Sequence, residues 1–480
     1  MKTKTALCSL LLCAQLSACT MIPHYLQPDM PVTKTWDKRM MPEPVSEDAS
    51  KAMAAIGWKQ FFVSEPLRQV IETTLENNRD LRTAALNVQA AQALYRVQRA
   101  DLLPGVDAAG SSTRQKITEA QAGTEYISST YTANLASTAF ELDLFGRIRS
   151  ENKAALETYF ASASARDAVQ VSLVAEVANA YLQWLADRKI LKLTNETLQT
   201  QEKSYELINA SYKKGVASKL DLAQVRTAVE TARSNKALYQ RYVMQDKNAL
   251  LLLMGNTPKD GLPKATLDSI ELMQYLPTDL TSEVLLMRPD VQEAEHQLKA
   301  DNANIGAARA AFFPTISLTG SYGYASSDMS DLFSSAASGA WSFVPRITLP
   351  IFQGGRNIAN LDYSKLKKEA SVAQYEKTIQ TAFKEVADEL AAYATLDDEI
   401  KARKALVEAT QESYDLSYAR YKHGIDSFLN VLDAQRSLFS AQQQEIEVEK
   451  QRLANLVNLY KVLGGGVLDD TKEETKDKTP

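Results

Sequence analysis

The chain has 480 residues, a formal net charge of −5, and 24% charged against 45% hydrophobic residues. That balance excludes a disordered chain, and the slight acidity offers no electrostatic footprint for nucleic acid. The three histidines, His24, His296 and His423, stand far apart without metal-ligand spacing, and no Gly-rich phosphate loop appears. Neither catalysis nor a metal or other cofactor is expected.

The N-terminus reads as an export signal. Lys2 and Lys4 precede an apolar run over 6–16 that is too short to span a bilayer. The run ends in Leu16-Ser17-Ala18-Cys19, which looks like a bacterial lipobox. This predicts a signal peptide over 1–18 and acylation of the Cys19 thiol; the plainer alternative is an ordinary signal peptide cut after Ala18. Cys8 and Cys13 leave with the signal, so no disulfide can form within the mature chain. Thr20 follows the cysteine, and without an aspartate there the outer membrane is the expected destination.

Residues 19–65 carry Pro23, Pro28, Pro31, Pro42 and Pro44 and read as an extended arm. A helix is predicted from Pro66 to about 103, ended by Pro104. Strands follow over about 106–113 and 131–145, with a bulge between 133 and 138. In the second strand Phe140, Leu142 and Leu144 share one face, and Glu141 and Asp143 the other. Gly146-Arg147 then opens a long helix.

That long helix is written twice. Glu176-Val177-Ala178 returns as Glu385-Val386-Ala387, and the Tyr212 to Gly215 turn returns as Tyr421 to Gly424, both 209 residues later. Val177, Trp184, Leu191, Leu198, Tyr205 and Tyr212 recur at sevens, as do Val386, Tyr393, Ile400, Val407, Tyr414 and Tyr421. Such spacing marks a coiled-coil seam. Ser218 and Asp221 spell a capping box for a returning helix that stops at Gly255. A linker over 256–287 separates the repeats, taken as 66–255 and 288–464, and a charged tail occupies 465–480.

The second repeat contains the clearest strands. Ile316, Leu318, Gly320, Tyr322 and Tyr324 share one face, and Ser317, Thr319 and Ser321 the other. Trp341, Phe343, Pro345, Ile347, Leu349 and Ile351 likewise alternate with Ser342, Arg346 and Thr348. Such strands are long enough to cross an outer membrane when tilted. Four strands cannot close alone, because unpaired edge groups in lipid cost several kcal/mol each. A barrel here must be shared between chains. The fold class is therefore mostly α with a small β part: duplicated long helices, each repeat with a β-hairpin.

The motifs converge on one family. Cys19-Thr20 with Pro23, His24, Tyr25 and Pro28, the Trp58 and Phe61-Phe62 group, and Asn77, Asn78, Asp80 and Leu81 are part of the match. So are Glu141-Leu142-Asp143-Leu144-Phe145-Gly146-Arg147, Leu285-Leu286-Met287-Arg288-Pro289-Asp290-Val291 and Phe313-Pro314. The chain resembles the TolC-like outer-membrane factors, in their lipoprotein, OprM-like branch. Met287 departs from the arginine usual there.

The resemblance implies a homotrimer with a twelve-stranded barrel and an α-helical periplasmic tunnel, the linker lying in its equatorial region. The partners it implies are a periplasmic adaptor, an inner-membrane pump of the proton-driven RND type and outer-membrane lipid. The function expected is an efflux channel for drugs or other small toxic compounds. It places adaptor contacts at the turns, at Gly215, Val216, Ala217, Gly424, Ile425 and Asp426. It places a periplasmic gate at Asp221, Tyr421, Asn430 and Asp433, with the Tyr421 hydroxyl a candidate donor to a carboxylate. Asn430 stands where members of the family commonly have aspartate. Two other classes fit parts of the pattern: a duct for type I protein secretion, and a non-conducting coiled-coil lipoprotein.

Overall fold

The computed structural model describes residues 20–37, 56–258, 261–273, 280–334 and 338–466. Cys19 and the predicted signal peptide lie outside them, as do the tail from residue 467, residues 38–55 of the predicted arm, and 259–260 and 274–279 of the predicted linker. In chain order the elements are α1 (Trp58–Phe61), α2 (Glu65–Asn77), α3 (Arg79–Ala100), β1 (Asp107–Ile117), α4 (Glu119–Ala122), β2 (Tyr126–Leu142), α5 (Arg147–Lys213), α6 (Lys219–Met254), α7 (Pro289–Ala310), β3 (Thr315–Ser326), β4 (Ser338–Thr348), α8 (Arg356–Lys422) and α9 (Phe428–Val462). The two long helices each have 67 residues, about 100 Å at 1.5 Å per residue. No described helix is apolar enough to cross a membrane.

The described residues form two units. The first takes 20–29, 87–163 and 293–376. Its centre is an antiparallel sheet in the order β1-β2-β3-β4, so the two hairpins join through β2 and β3. The register aligns the predicted faces across the strands. Leu135 pairs with Tyr322, and Tyr322 with Trp341; these side chains are 57%, 73% and 76% exposed. One residue along, Ser321 and Ser342 hydroxyls meet at 2.8 Å, and Ser111 and Thr132 at 2.7 Å. One face is thus apolar and unburied, and the other is bridged by hydroxyls.

The strand boundaries differ from the alternation. β1 continues to Ile117 through Arg114 and Lys116 because backbone groups pair whatever the side chain; Lys116 ion-pairs with Glu125. β2 begins at Tyr126 and stops at Leu142. Beyond it Asp143 accepts from the Arg149 N–H at 2.9 Å and from Arg149 Nε at 3.0 Å. Glu141 binds Arg147 at 2.7 Å, and Gly146 turns at φ 76°. The Glu141 to Arg147 motif is therefore a strand-to-helix joint. The register shift lies between Ser137 and Phe140, at the end of the predicted window. There Ala139 sits at φ 54° and its N–H donates to Thr319 Oγ1 at 3.0 Å.

The N-terminal strap lies along α7. Asn302 Nδ2 donates to the Pro23 carbonyl at 2.9 Å, and the Tyr25 hydroxyl to Glu295 at 3.2 Å. A Cβ at Gly306 would come within 2.9 Å of Ile22 Cα, so only glycine leaves room for the strap. His296, on this alanine-rich helix, is partly buried. Its Nδ1 lies 2.7 Å from the buried Glu157 carboxylate. Burial alone would raise the Glu157 pKa; hydrogen bonds to His296 and Lys153 overcome it and hold the carboxyl at about 2.

The second unit takes 30–86, 164–292 and 377–466 of the described residues. Val177, Trp184 and Leu198 of the first seam are buried, as are Leu432, Ile446 and Tyr460 of α9. Phe61, Phe62 and Tyr460 pack ring to ring at 4.7–5.6 Å. The helix predicted from residue 66 to 103 is broken at Asn78. Asn78 Oδ1 accepts from the N–H groups of Asp80 and Leu81, starting α3, while its Nδ2 donates to the Leu253 carbonyl at 2.8 Å. Polar capping plus a long-range bond outweighs helical propensity. Gly255 closes α6 at φ 62°, where a Cβ would meet the Asn77 carbonyl oxygen at 2.4 Å. Buried Arg288 donates to the Val462 carbonyl at 2.8 Å and pairs with Asp290 and Glu385. The Arg288-Pro289-Asp290 motif thus fastens the end of α9.

Candidate functional site: the sheet and the two helix turns

The sheet has features of a barrel segment. Its outer strands β1 and β4 each have one neighbour, and Pro345 sits within β4, a residue without an N–H for the ladder. An apolar face left open to the surroundings is a partner or lipid surface.

The other candidate site is built by the turns that end α5 and α8. Each long helix closes with the same two bonds. Gly215 N–H donates to the Tyr212 carbonyl at 2.9 Å and Val216 N–H to the Ser211 carbonyl at 3.0 Å. Gly424 and Ile425 make the same bonds to Tyr421 and Arg420 at 2.9 and 3.0 Å. Gly215 and Gly424 adopt φ 77° and 72°. This pattern is a Schellman close, and the left-handed residue is why glycine recurs. Val216 and Ile425 follow, 81% and 61% exposed.

The predicted gate residues gather near these turns. Asp221 completes a capping box: Ser218 Oγ accepts from its N–H at 3.1 Å, and its carboxylate accepts from the Ser218 N–H at 2.9 Å. Tyr421 packs edge-on against Phe428 at 4.9 Å, on a cluster of Ile208, Val225, Val431 and Leu432. Burial and then the Asp221 charge raise its hydroxyl pKa. No Tyr421 hydroxyl bond to Asp221 is present among the described residues; the carboxylate is used by Ser218 instead. Asp433 pairs with Arg436, and Asp426 with Arg420 at 2.5 Å. Asn430 is exposed, its N–H on the Ser427 carbonyl at 3.3 Å.

Sequence reasoning missed both arginines. The Asp433 to Arg436 spacing of three was a readable signal. Arg420 and Asp426 face each other only because the turn reverses between them.

Known proteins share this architecture. The model of the family described as outer membrane efflux protein matches residues 70–256 and 280–465. The chain belongs to the outer membrane efflux protein family. The antibiotic efflux pump outer membrane protein ArpC of Pseudomonas putida is 52% identical, over 95% of this chain and 94% of that protein. The toluene efflux pump outer membrane protein TtgC, also of Pseudomonas putida, gives the same figures. The open-state structure of the Neisseria gonorrhoeae MtrE outer membrane channel superposes with a TM-score of 0.84 at 39% identity, covering 94% of this chain and all of that one.

The efflux protein is thus the outer-membrane channel of a tripartite system. Three copies contribute four strands each to a twelve-stranded barrel, and their long helices form an α-helical periplasmic tunnel. It works with a periplasmic adaptor and an inner-membrane pump. Barrel closure explains the open edges of β1 and β4, which each chain leaves for its neighbours.

Proposed function

We propose that this channel exports drugs or other small toxic compounds for a proton-driven RND pump, contributes no catalysis, and is anchored by a lipid on Cys19. The two repeats, 66–255 and 288–464, each supply one barrel hairpin and one helix turn. The observation that carries the conduit reading is the four-stranded sheet with one unburied apolar face, one hydroxyl-bridged face and two open edges. Ile316, Leu318 and Tyr322 face lipid in this reading; Ser317, Thr319 and Ser321 face the lumen. The cargo class rests on the antibiotic and toluene relatives.

The turns dock the adaptor through Val216, Ala217, Ile425 and Asp426, with Gly215 and Gly424 holding them in place. The gate is formed by Asp221, Tyr421, Asn430 and Asp433. Three copies of each carboxylate in one mouth would repel; the pair with Arg436 relieves that repulsion at Asp433, and the pair with Arg420 does the same for Asp426 in the adjoining turn. Tyr421 contributes packing on Phe428.

Single-channel conductance in a planar bilayer tests this directly. Arg420→Ala with Arg436→Ala should raise conductance and make cells sensitive to vancomycin, while Tyr421→Phe alone should change neither. Wild-type conductance in the double arginine variant would move the gate elsewhere. Val216→Trp with Ile425→Trp should abolish export at normal trimer levels; intact adaptor cross-linking would remove these residues from the docking surface. Cys19→Ser should lose palmitate labelling.

A further inference from the structure

The core of the second unit is not filled evenly. Near the turns, Ile208, Val225, Phe428, Val431 and Leu432 form an apolar cluster. Close by lies a polar layer of Gln201 on α5 and Gln435 on α9, each 6% exposed. Gln201 Nε2 donates to Gln435 Oε1 at 2.8 Å, and Gln201 Oε1 is buried without a partner. One bond between two primary amides leaves one NH2 group and one carbonyl oxygen open. Exchanging O and N in both amides moves these groups between the residues without satisfying either.

Beside the pair is a cavity of about 410 Å3 between α5, α6 and α9, within the range of small-molecule sites. Gln201 and Gln435 line it together with two further amides, Gln224 and Asn235, and with Leu432, Phe439, Ala228 and Ala232 among the apolar groups. Thr194 and Thr231 hydroxyls already donate to carbonyls of their own helices, at 2.8 and 2.9 Å, and offer only lone pairs. No carboxylate lines the cavity, so a cation finds no counter-charge. The Arg436 guanidinium is already paired with Asp433, so an anion finds no free one.

We propose that this cavity binds a small neutral amphiphile carrying a hydroxyl or primary amide on an apolar body. The polar end accepts from the open amide NH2 and donates to the open carbonyl, which a small rotation of the Gln201 amide presents to the cavity. The apolar body lies against Leu432 and Phe439. Neither a cation nor a pure hydrocarbon satisfies both ends. The proposal concerns binding alone, so a failure of the gate reading leaves it intact.

Equilibrium dialysis of the purified full-length trimer against naphthol and naphthalene tests it. Naphthol should bind saturably, once per protomer, and up to about tenfold more tightly than naphthalene, the worth of one net hydrogen bond. Gln201→Met with Gln435→Met removes the two paired amides together, so neither is left without its partner, and keeps those of Gln224 and Asn235. That variant should weaken naphthol about tenfold and leave naphthalene unchanged. Thr231→Trp, at an exposed edge of the cavity, should fill it and abolish saturable binding of both probes. Wild-type binding no greater than that of Thr231→Trp would show a cavity holding water only. Equal naphthol affinity in the double methionine variant would overturn the role of the amides. Should that variant fail to assemble, a naphthol-to-naphthalene ratio near one in the wild type overturns it instead.

Discussion

The two helix turns share a backbone and differ in side-chain chemistry. Residues 211, 217 and 221 of the first are Ser211, Ala217 and Asp221; their counterparts 209 positions later are Arg420, Asp426 and Asn430. Both turns keep the same carbonyl bonds and the left-handed glycine. Only the first has a capping box, and Ser427 makes no side-chain cap bond. The second spans its loop with the ion pair of Arg420 and Asp426. The backbone motif therefore depends on glycine alone and survives divergence. The side-chain latch depends on a single carboxylate at the third helical position, and Asn430 has lost it.

The largest expected effect tests what the turns share. Gly215→Val and Gly424→Val each force a β-branched residue into the left-handed region, at about 1–2 kcal/mol or more. Amide exchange in the affected turn should quicken tenfold or more, equally in both. Unequal acceleration would show that the two backbones are not equivalent.

Smaller effects test what they do not share. Asp221→Ala should cost about 0.5–1 kcal/mol of local stability, as cap losses do. Asn430→Ala should stay within about 0.5 kcal/mol of zero. Exchange of the first few amides of α6 and of α9 measures both, and equal losses would mean that Asn430 caps in some other way. The reverse change, Asn430→Asp, should rebuild the box with Ser427 and slow exchange at the start of α9 by a few tenths of a kcal/mol. Continued rapid exchange there would mean that the pair of Arg420 with Asp426 holds the loop out of capping geometry.

The smallest effect is one of pH. The hydrogen bond from Arg420 is the main cause holding the Asp426 carboxyl below its ordinary value of 3.8. A depressed carboxyl contributes stability that is complete above the ordinary value and lost as pH falls through the lower, folded one. The second turn should thus keep its protection somewhat below pH 3.8, and Arg420→Ala should move the loss upward to it. The contrast is read as the ratio of variant to wild-type exchange at each pH; a ratio that does not change with pH would leave the ion pair without effect on the turn.

Much of this was legible in the chain because it is periodic. The heptads from Val177 and Val386, the alternation from Ile316 to Tyr324 and the prolines 104 and 314 each act locally, so length, face and end of an element could be read without a partner. Ser218 and Asp221 belong to the same class, since a capping box closes within four residues. The duplication did the rest, as two copies in step at 209 residues expose the turns and the place where Asn430 breaks the match.

Contacts far apart in sequence were decided only by the tertiary structure. The helix from residue 66 breaks at Asn78 because the Asn78 amide finds the Leu253 carbonyl 175 residues away. His296 is drawn in by Glu157, and Gly306 is needed because Ile22 crosses it. The amides of Gln201 and Gln435 meet across 234 residues. Periodicity reports which face of an element is apolar. It cannot report which buried polar atom lies within 3 Å of which, and that distance settles whether a polar side chain caps, pairs or is left open to a ligand.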